Sequence, residues 1–252
     1  MKLTQSLANR LVASAAVSVA VLLTVNLFAQ AQVGRAEVKA VRGAVTYTVA
    51  GGPPTPLKVG TVLTSGAIIK TGPEASADLF LGNSAGLLRL TENTTLGLDK
   101  LNLTETGAET VVEVQLNLPE GTILGNVNKL SPASKYEIKL PNGVAGIRGT
   151  RFRISSTFYI VLLDGTLIAV YVPPGEEATA YTLIAPPAVY FSPVEGIKQA
   201  PDELIREVLG QFDKGMMPEL PEAPKQFDRA VIDDNYYVTP VLDVLTRDDP
   251  DN

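Results

Sequence analysis

Asn142-Gly143-Val144-Ala145-Gly146-Ile147-Arg148-Gly149-Thr150-Arg151-Phe152-Arg153-Ile154 carries the clearest structural signal in the chain. Gly143 and Gly146 open it as loop glycines, and from Thr150 the residues alternate. Thr150, Phe152 and Ile154 share one face while Arg151 and Arg153 share the other, which is the two-residue period of a half-buried strand. Extending that period backwards puts Arg148 on the apolar face. A buried guanidinium there has five donors to satisfy, from loop carbonyls or from a carboxylate such as Asp164. A second strand follows over Phe158–Leu163, then a turn at Asp164-Gly165 and a third strand over Thr166–Val172.

On the N-terminal side the chain continues as short β-type segments punctuated by glycine and proline. Val38–Val49 reads as a strand pair or one long strand bent at Gly43, and Gly51-Gly52-Pro53-Pro54 as a turn. Val111–Leu118 sets Val112, Val114, Leu116 and Leu118 on one face, and Lys135–Leu140 does the same with Tyr136, Ile138 and Leu140. Many short strands with turn signals between them predict an all-β domain: a sandwich, a barrel or a short solenoid-like stack. Gly60-Thr61, Gly121-Thr122 and Gly165-Thr166 each precede two apolar residues, an echo that turn chemistry explains without a repeat.

On the C-terminal side, Ala180–Ile184 and Val189–Phe191 read as one more hairpin around Pro186-Pro187. After Pro193 the period changes: Leu204, Ile205, Val208, Leu209 and Phe212 fall at helical spacing behind Pro201-Asp202. This predicts a short amphipathic helix docked on the β-domain or on a partner. Pro218–Pro224 reads as an extended linker, and the rest as an extended acidic tail with an apolar island from Tyr236 to Leu245.

Composition narrows the chemistry. The 252 residues contain no cysteine and no histidine, which excludes disulfides, thiolate metal sites, His-ligated zinc and a Ser-His-Asp triad. The net charge of −6 is concentrated at the end: residues 198–252 hold 13 acidic and 6 basic side chains, leaving +1 for everything before. That balance argues against nucleic acid as a partner. Asp78, Glu92, Asp99, Glu120 and Asp164 are the candidate carboxylates for a hydrolase, but no spacing singles out a pair. The absence of tryptophan speaks against a sugar-stacking platform. No catalytic residue, no cofactor and no metal site is expected.

Lys2 and Arg10 precede an uncharged stretch, Leu11–Phe28, which ends in Ala29-Gln30-Ala31. This is the pattern of an export signal cleaved after Ala31, with an uncleaved membrane anchor as the alternative. The expected organisation is therefore a signal peptide over 1–31, a β-domain over 32–193, and a helix, linker and tail over 194–252. The expected location is the periplasm or the cell exterior, with membrane contact only through an uncleaved signal.

Taken in order, several motifs resemble the FecR domain family. They are Val41-Arg42-Gly43-Ala44-Val45, the spaced Leu and Gly positions from Leu57 to Gly72, Ala77–Leu81, Leu88-x-Leu90 and Leu118-x-x-Gly121. Ile147-Arg148-Gly149-Thr150-x-Phe152-x-Ile154 and Asp164-Gly165-Thr166-Leu167 complete the set. The resemblance covers about Glu37 to Val172 and implies an extracytoplasmic, non-catalytic β-domain. In the family's best-known members it passes a signal from an outer-membrane transporter to an inner-membrane regulator of a sigma factor. Only nine residues precede Arg10, so a stand-alone exported module is expected here in place of a sigma-factor regulator. Its partner would be another envelope protein or an envelope polymer. The alternatives are a structural envelope protein that recruits a partner through its tail and, if the N-terminal segment is an uncleaved anchor, a FecR-type sigma-factor regulator. The structural or partner-binding candidates are Arg148, Gly149, Thr150, Phe152, Asp164 and Gly165, with Arg151, Arg153, Lys135 and Lys139 as a small basic patch.

Overall fold

The computed structural model describes residues 31–105 and 109–213. The predicted signal segment up to Gln30, the proline-rich linker and the acidic tail lie outside the described residues. The strands in chain order are β1 (Ala31–Val33), β2 (Ala36–Arg42), β3 (Val45–Val49), β4 (Thr55–Pro56), β5 (Val62–Leu63) and β6 (Ala67–Thr71). Next come β7 (Ser76–Phe80), β8 (Leu87–Leu90), β9 (Thr95–Glu105), β10 (Thr110–Glu120), β11 (Thr122–Asn126) and β12 (Lys135–Leu140). The last are β13 (Gly143–Ser155), β14 (Ile160–Tyr171), β15 (Thr179–Ala185), β16 (Val189–Ser192) and β17 (Gly196–Gln199), followed by helix α1 (Asp202–Asp213). This is the all-β architecture with one short C-terminal helix that the alternation predicts.

The sheet is curled over on itself into two layers. One layer runs β3–β6–β9–β10–β12 and continues into the first half of β13, the second half of β14, and β15. The other runs β2–β7–β8–β11 and continues into the second half of β13, the first half of β14, β16 and β17. Leu79, Leu88, Ile123, Phe152 and Ile154 from the second layer and Ile69, Leu98, Val114, Leu116 and Ile138 from the first join one buried cluster. The period-2 faces read from the sequence therefore point into a single core between the layers.

The chain crosses between layers at stacked corners. The β2–β3, β6–β7, β8–β9 and β10–β11 connections lie along one corner of the fold, and backbone bonds tie them together. Gly72 N–H donates to the Ala44 carbonyl at 2.9 Å and Asn93 N–H to the Gly72 carbonyl at 3.1 Å. Thr94 Oγ1 then accepts from Thr122 N–H at 3.0 Å and donates to the Thr122 carbonyl at 3.1 Å. Val38–Val49 is accordingly one bent run, since β2 and β3 pair in different layers. The solenoid-like reading captures this stacking, and the sandwich reading captures the core.

Two boundaries differ from the sequence reading. β15 and β16 are not a hairpin: both pair with β14, end to end along the same edge. Nor does the folded body stop at residue 193, because β17 extends the sheet and α1 packs on it. Val208 and Phe212 of α1 are buried with Leu124, Val161 and Leu163 on the outer side of the second layer. The sequence signal for that patch is the unbroken apolar run Ile160-Val161-Leu162-Leu163, the mark of a strand covered on both faces.

Candidate functional site

The β13–β14 hairpin carries all six sequence-predicted residues and is where the sheet turns from one layer into the other. The turn requires a bulge. From Ile147↔Leu167 to Thr150↔Gly165, β13 advances one residue more than β14, so a residue drops out of the alternation at Arg148–Gly149. Gly149 has φ +95° and Gly165 φ +89°, a region that residues with a Cβ reach only under strain. The two glycines also interlock. A Cβ on Gly165 would stand 2.0 Å from the Gly149 carbonyl oxygen, and one on Gly149 would stand 2.6 Å from Lys129 Cα.

The bulge overturns the burial expected for Arg148. Ile147 and Thr150 both face the core, at 2% and 1% exposure, and Arg148 between them is turned outward. Its Nη1 makes only long bonds to the Pro132 and Ser134 carbonyls, at 3.5 and 3.4 Å. The loop carbonyls are the partners the sequence suggested, but Asp164 is not. Asp164 takes the Arg151 backbone N–H at 3.1 Å and pairs with the Arg151 guanidinium.

Thr150 and Phe152 are core residues. Thr150 exchanges backbone bonds with Val127, and its buried Oγ1 has no partner among the described residues. Phe152 lies opposite Gly125, where a Cβ would fall 2.2 Å from the ring, so the missing side chain makes the space that the aromatic ring fills.

The basic patch does not form. Arg151 pairs with Asp164, Arg153 with Glu207 of α1 at 2.7 Å, Lys135 with Glu137 at 3.1 Å and Lys139 with Asp99 at 3.1 Å. Arg151 and Arg153 also lie in the half of β13 that pairs with β11, whereas Lys135 and Lys139 are on β12 in the other layer. Around the lysines, the outer face of the first layer is an ionic lattice. Glu113 is held below the usual carboxylate range, first by the hydrogen bond from Lys100. Burial pushes Glu137 upward, but hydrogen bonds from Gln115 and Lys135 and the nearby lysine charges outweigh it and hold Glu137 low.

One polar cluster escapes the sequence reading, which names Asp78 as a candidate carboxylate but gives it no partner. Asp78 of β7 and Arg89 of β8 are register partners on the outer side of the second layer. Arg89 donates Nε to Asp78 Oδ1 and Nη2 to Oδ2, both at 2.6 Å, and Nη1 to the Gln211 carbonyl of α1 at 2.6 Å. The two side chains are 8% and 5% exposed. The signal that could have found them is a lone charge in the middle of each of two adjacent apolar strands, Ala77-Asp78-Leu79 and Leu88-Arg89-Leu90. Beside this pair lies a shallow depression of about 360 Å³, lined by Arg42, Glu74, Ser76, Thr91, Glu92 and Gln211 among others. Within it Glu92 Oε2 accepts the Glu74 N–H at 2.8 Å.

Of the five candidate carboxylates, Asp78, Asp99 and Asp164 are thus ion-paired and Glu92 is bonded to backbone. Among the described residues no three His, Cys, Asp or Glu side chains gather as a metal site would need. Residues 67–167 match the family model for FecR protein, from the start of β6 into the second half of β14. No curated protein and no solved structure matches the chain.

Proposed function

Proceeding from the FecR domain that this chain carries at residues 67–167, we propose that it is an exported, non-catalytic module of the cell envelope that acts by binding another envelope component. The observation that carries this reading is how the signature residues are used. Gly149, Thr150, Phe152 and Gly165 build the bend and the core, and Asp164 is engaged by Arg151. The chemistry left to the molecule is that of its outer faces, which suits recognition of a protein or polymer. A net negative charge supports a partner other than nucleic acid. The N-terminal signal pattern supports export, with Gln32 as the first residue of the mature chain.

The test is fractionation of cells expressing the tagged chain, N-terminal sequencing of the product, and cross-linking in the envelope fraction. The reading expects a product starting at Gln32 outside the cytoplasm and a reproducible cross-linked envelope partner. A purely cytoplasmic product that starts at Met1 would overturn it. Truncation after Asp213 tests whether the tail recruits the partner. A cut at Lys198 would confound that test, because it removes Val208 and Phe212 from the fold.

A further inference from the structure

β15 is a sheet edge without the usual protection. It pairs with β14 from Gly165↔Ala185 to Tyr171↔Thr179, and among the described residues no strand pairs with its other side. An open edge is a template for another strand, and proteins ordinarily guard one by shortness, charge, proline or a bulge. The other terminal strands follow that rule: β1 is three residues, β4 is two residues ending in Pro56, β5 is two residues, and β17 is four residues carrying Lys198. β15 follows none of it. Its seven residues, Thr-Ala-Tyr-Thr-Leu-Ile-Ala, include no charge, proline or glycine, and its register with β14 is unbroken. Its outward Ile184 is 63% exposed, on the same face as Ile168 of β14, which is 40% exposed.

We propose that β15 pairs antiparallel with β15 of a second copy of this chain, across a twofold axis at Thr182, so that the first layer continues from one molecule into the other. The strand is its own complement. Full overlap of two seven-residue strands centres the axis on the fourth residue, Thr182. Thr179 then faces Ala185, Ala180 faces Ile184, and Tyr181 faces Leu183. Residues opposite each other share a face, so the buried Leu183 and Ala185 stay on the core side and Ile184 stays outside. Charge selects the orientation. Glu176 and Glu177 precede the strand, and antiparallel pairing carries them toward Ala188 and Pro187 of the second copy. Parallel pairing would set each glutamate against its own copy, a repulsive arrangement. Length, face and sign are thus all met by a second copy of the chain, joined by an isologous contact.

The experiment is sedimentation equilibrium of the full chain from about one to several hundred micromolar, a range that captures modest self-association. Thr182→Lys and Thr182→Glu are compared with the wild type, after circular dichroism shows that all three fold. Thr182 is exposed, so both variants are expected to fold as the wild type does. Each variant sets two like charges against each other at the axis, and self-association should weaken at least about tenfold. Mixing the two variants should restore dimers containing one copy of each. A wild type that stays monomeric overturns the proposal and leaves the edge to a strand of a different protein. Dimers that survive both substitutions, or variants that fail to pair when mixed, overturn it equally.

Discussion

Gly165→Ala puts the interlocked bend to a direct test. The added methyl has two consequences. It forces alanine to hold φ +89°, a left-handed conformation that costs about 1–2 kcal/mol. It also drives a Cβ to 2.0 Å from the Gly149 carbonyl oxygen, and a backbone atom cannot swing aside as a side-chain end can. Overpacking of this kind costs about 1–3 kcal/mol. Together they predict a loss of roughly 2–5 kcal/mol, which for a body of this size lowers Tm by about 5–15 °C. Thermal unfolding followed by circular dichroism measures it, and two controls separate the causes. Gly175 has φ +80° but nothing within 4 Å of where a methyl would stand, so Gly175→Ala carries the conformational cost alone. Gly146 has no positive φ and its nearest neighbour, the Ile168 carbonyl, stands 3.7 Å from the methyl position, so Gly146→Ala should be near neutral. If Gly165→Ala unfolds within a degree or two of Gly175→Ala, the interlock of the two glycines is not what shapes this bend.

Arg89→Ala leaves Asp78 buried without its counter-ion and should cost about 3–5 kcal/mol, whereas exposed Arg148→Ala should cost under about 1 kcal/mol; a reversed order in chemical denaturation would refute both placements. Tyr136 is 2% exposed, its hydroxyl has no partner among the described residues, and burial pushes its pKa well up. Tyr136→Phe should therefore hold or raise stability by up to about 1 kcal/mol, and a clear drop in Tm would show that the hydroxyl is bonded in solution. Glu113 and Glu137 have folded pKa values below the ordinary 4.5, so the unfolded chain binds protons first as pH falls. Their stabilisation is complete above that value and is lost as pH drops through the lower folded values. Tm measured from about pH 6 to about pH 3 should fall less steeply in the Glu113→Gln, Glu137→Gln double variant than in the wild type, and equal slopes would remove the lattice from the acid response.

What the sequence makes legible is whatever depends on alternation and helical period. The inner faces of β10 and β12 follow from Val112, Val114, Leu116 and Leu118 and from Tyr136, Ile138 and Leu140, each buried as the spacing requires. The seam of α1 follows from Val208 and Phe212. Period-2 reasoning misplaces Arg148 because it assumes an unbroken register, and the bulge at Arg148–Gly149 breaks it within the motif itself. Gly149 marks the break, but a glycine in a strand does not say which neighbour it turns outward. The pairing of Lys139 and Arg153 with carboxylates is invisible for another reason. Asp99 and Glu207 lie 40 and 54 residues from the cations they meet, and only the topology brings them together.

The Asp78–Arg89 pair and α1 explain each other. On an uncovered sheet face an ion pair would stay in water and contribute little. Here α1 covers it, and that desolvation is offset because both carboxylate oxygens and the Gln211 carbonyl accept from the same guanidinium. The contact also fixes the helix. An apolar seam alone, Val208 and Phe212 against Leu124, Val161 and Leu163, sets which face of α1 is buried but only weakly its position along the axis. Arg89 Nη1 meets a backbone carbonyl in the last turn, where cations are favoured by the helix dipole, and a shift by one residue would remove that acceptor. Glu207 meeting Arg153 adds a second point along the same axis. Two polar contacts thus set the register that the apolar seam leaves open, and they hold Gln211 at the rim of the Glu74–Glu92 depression.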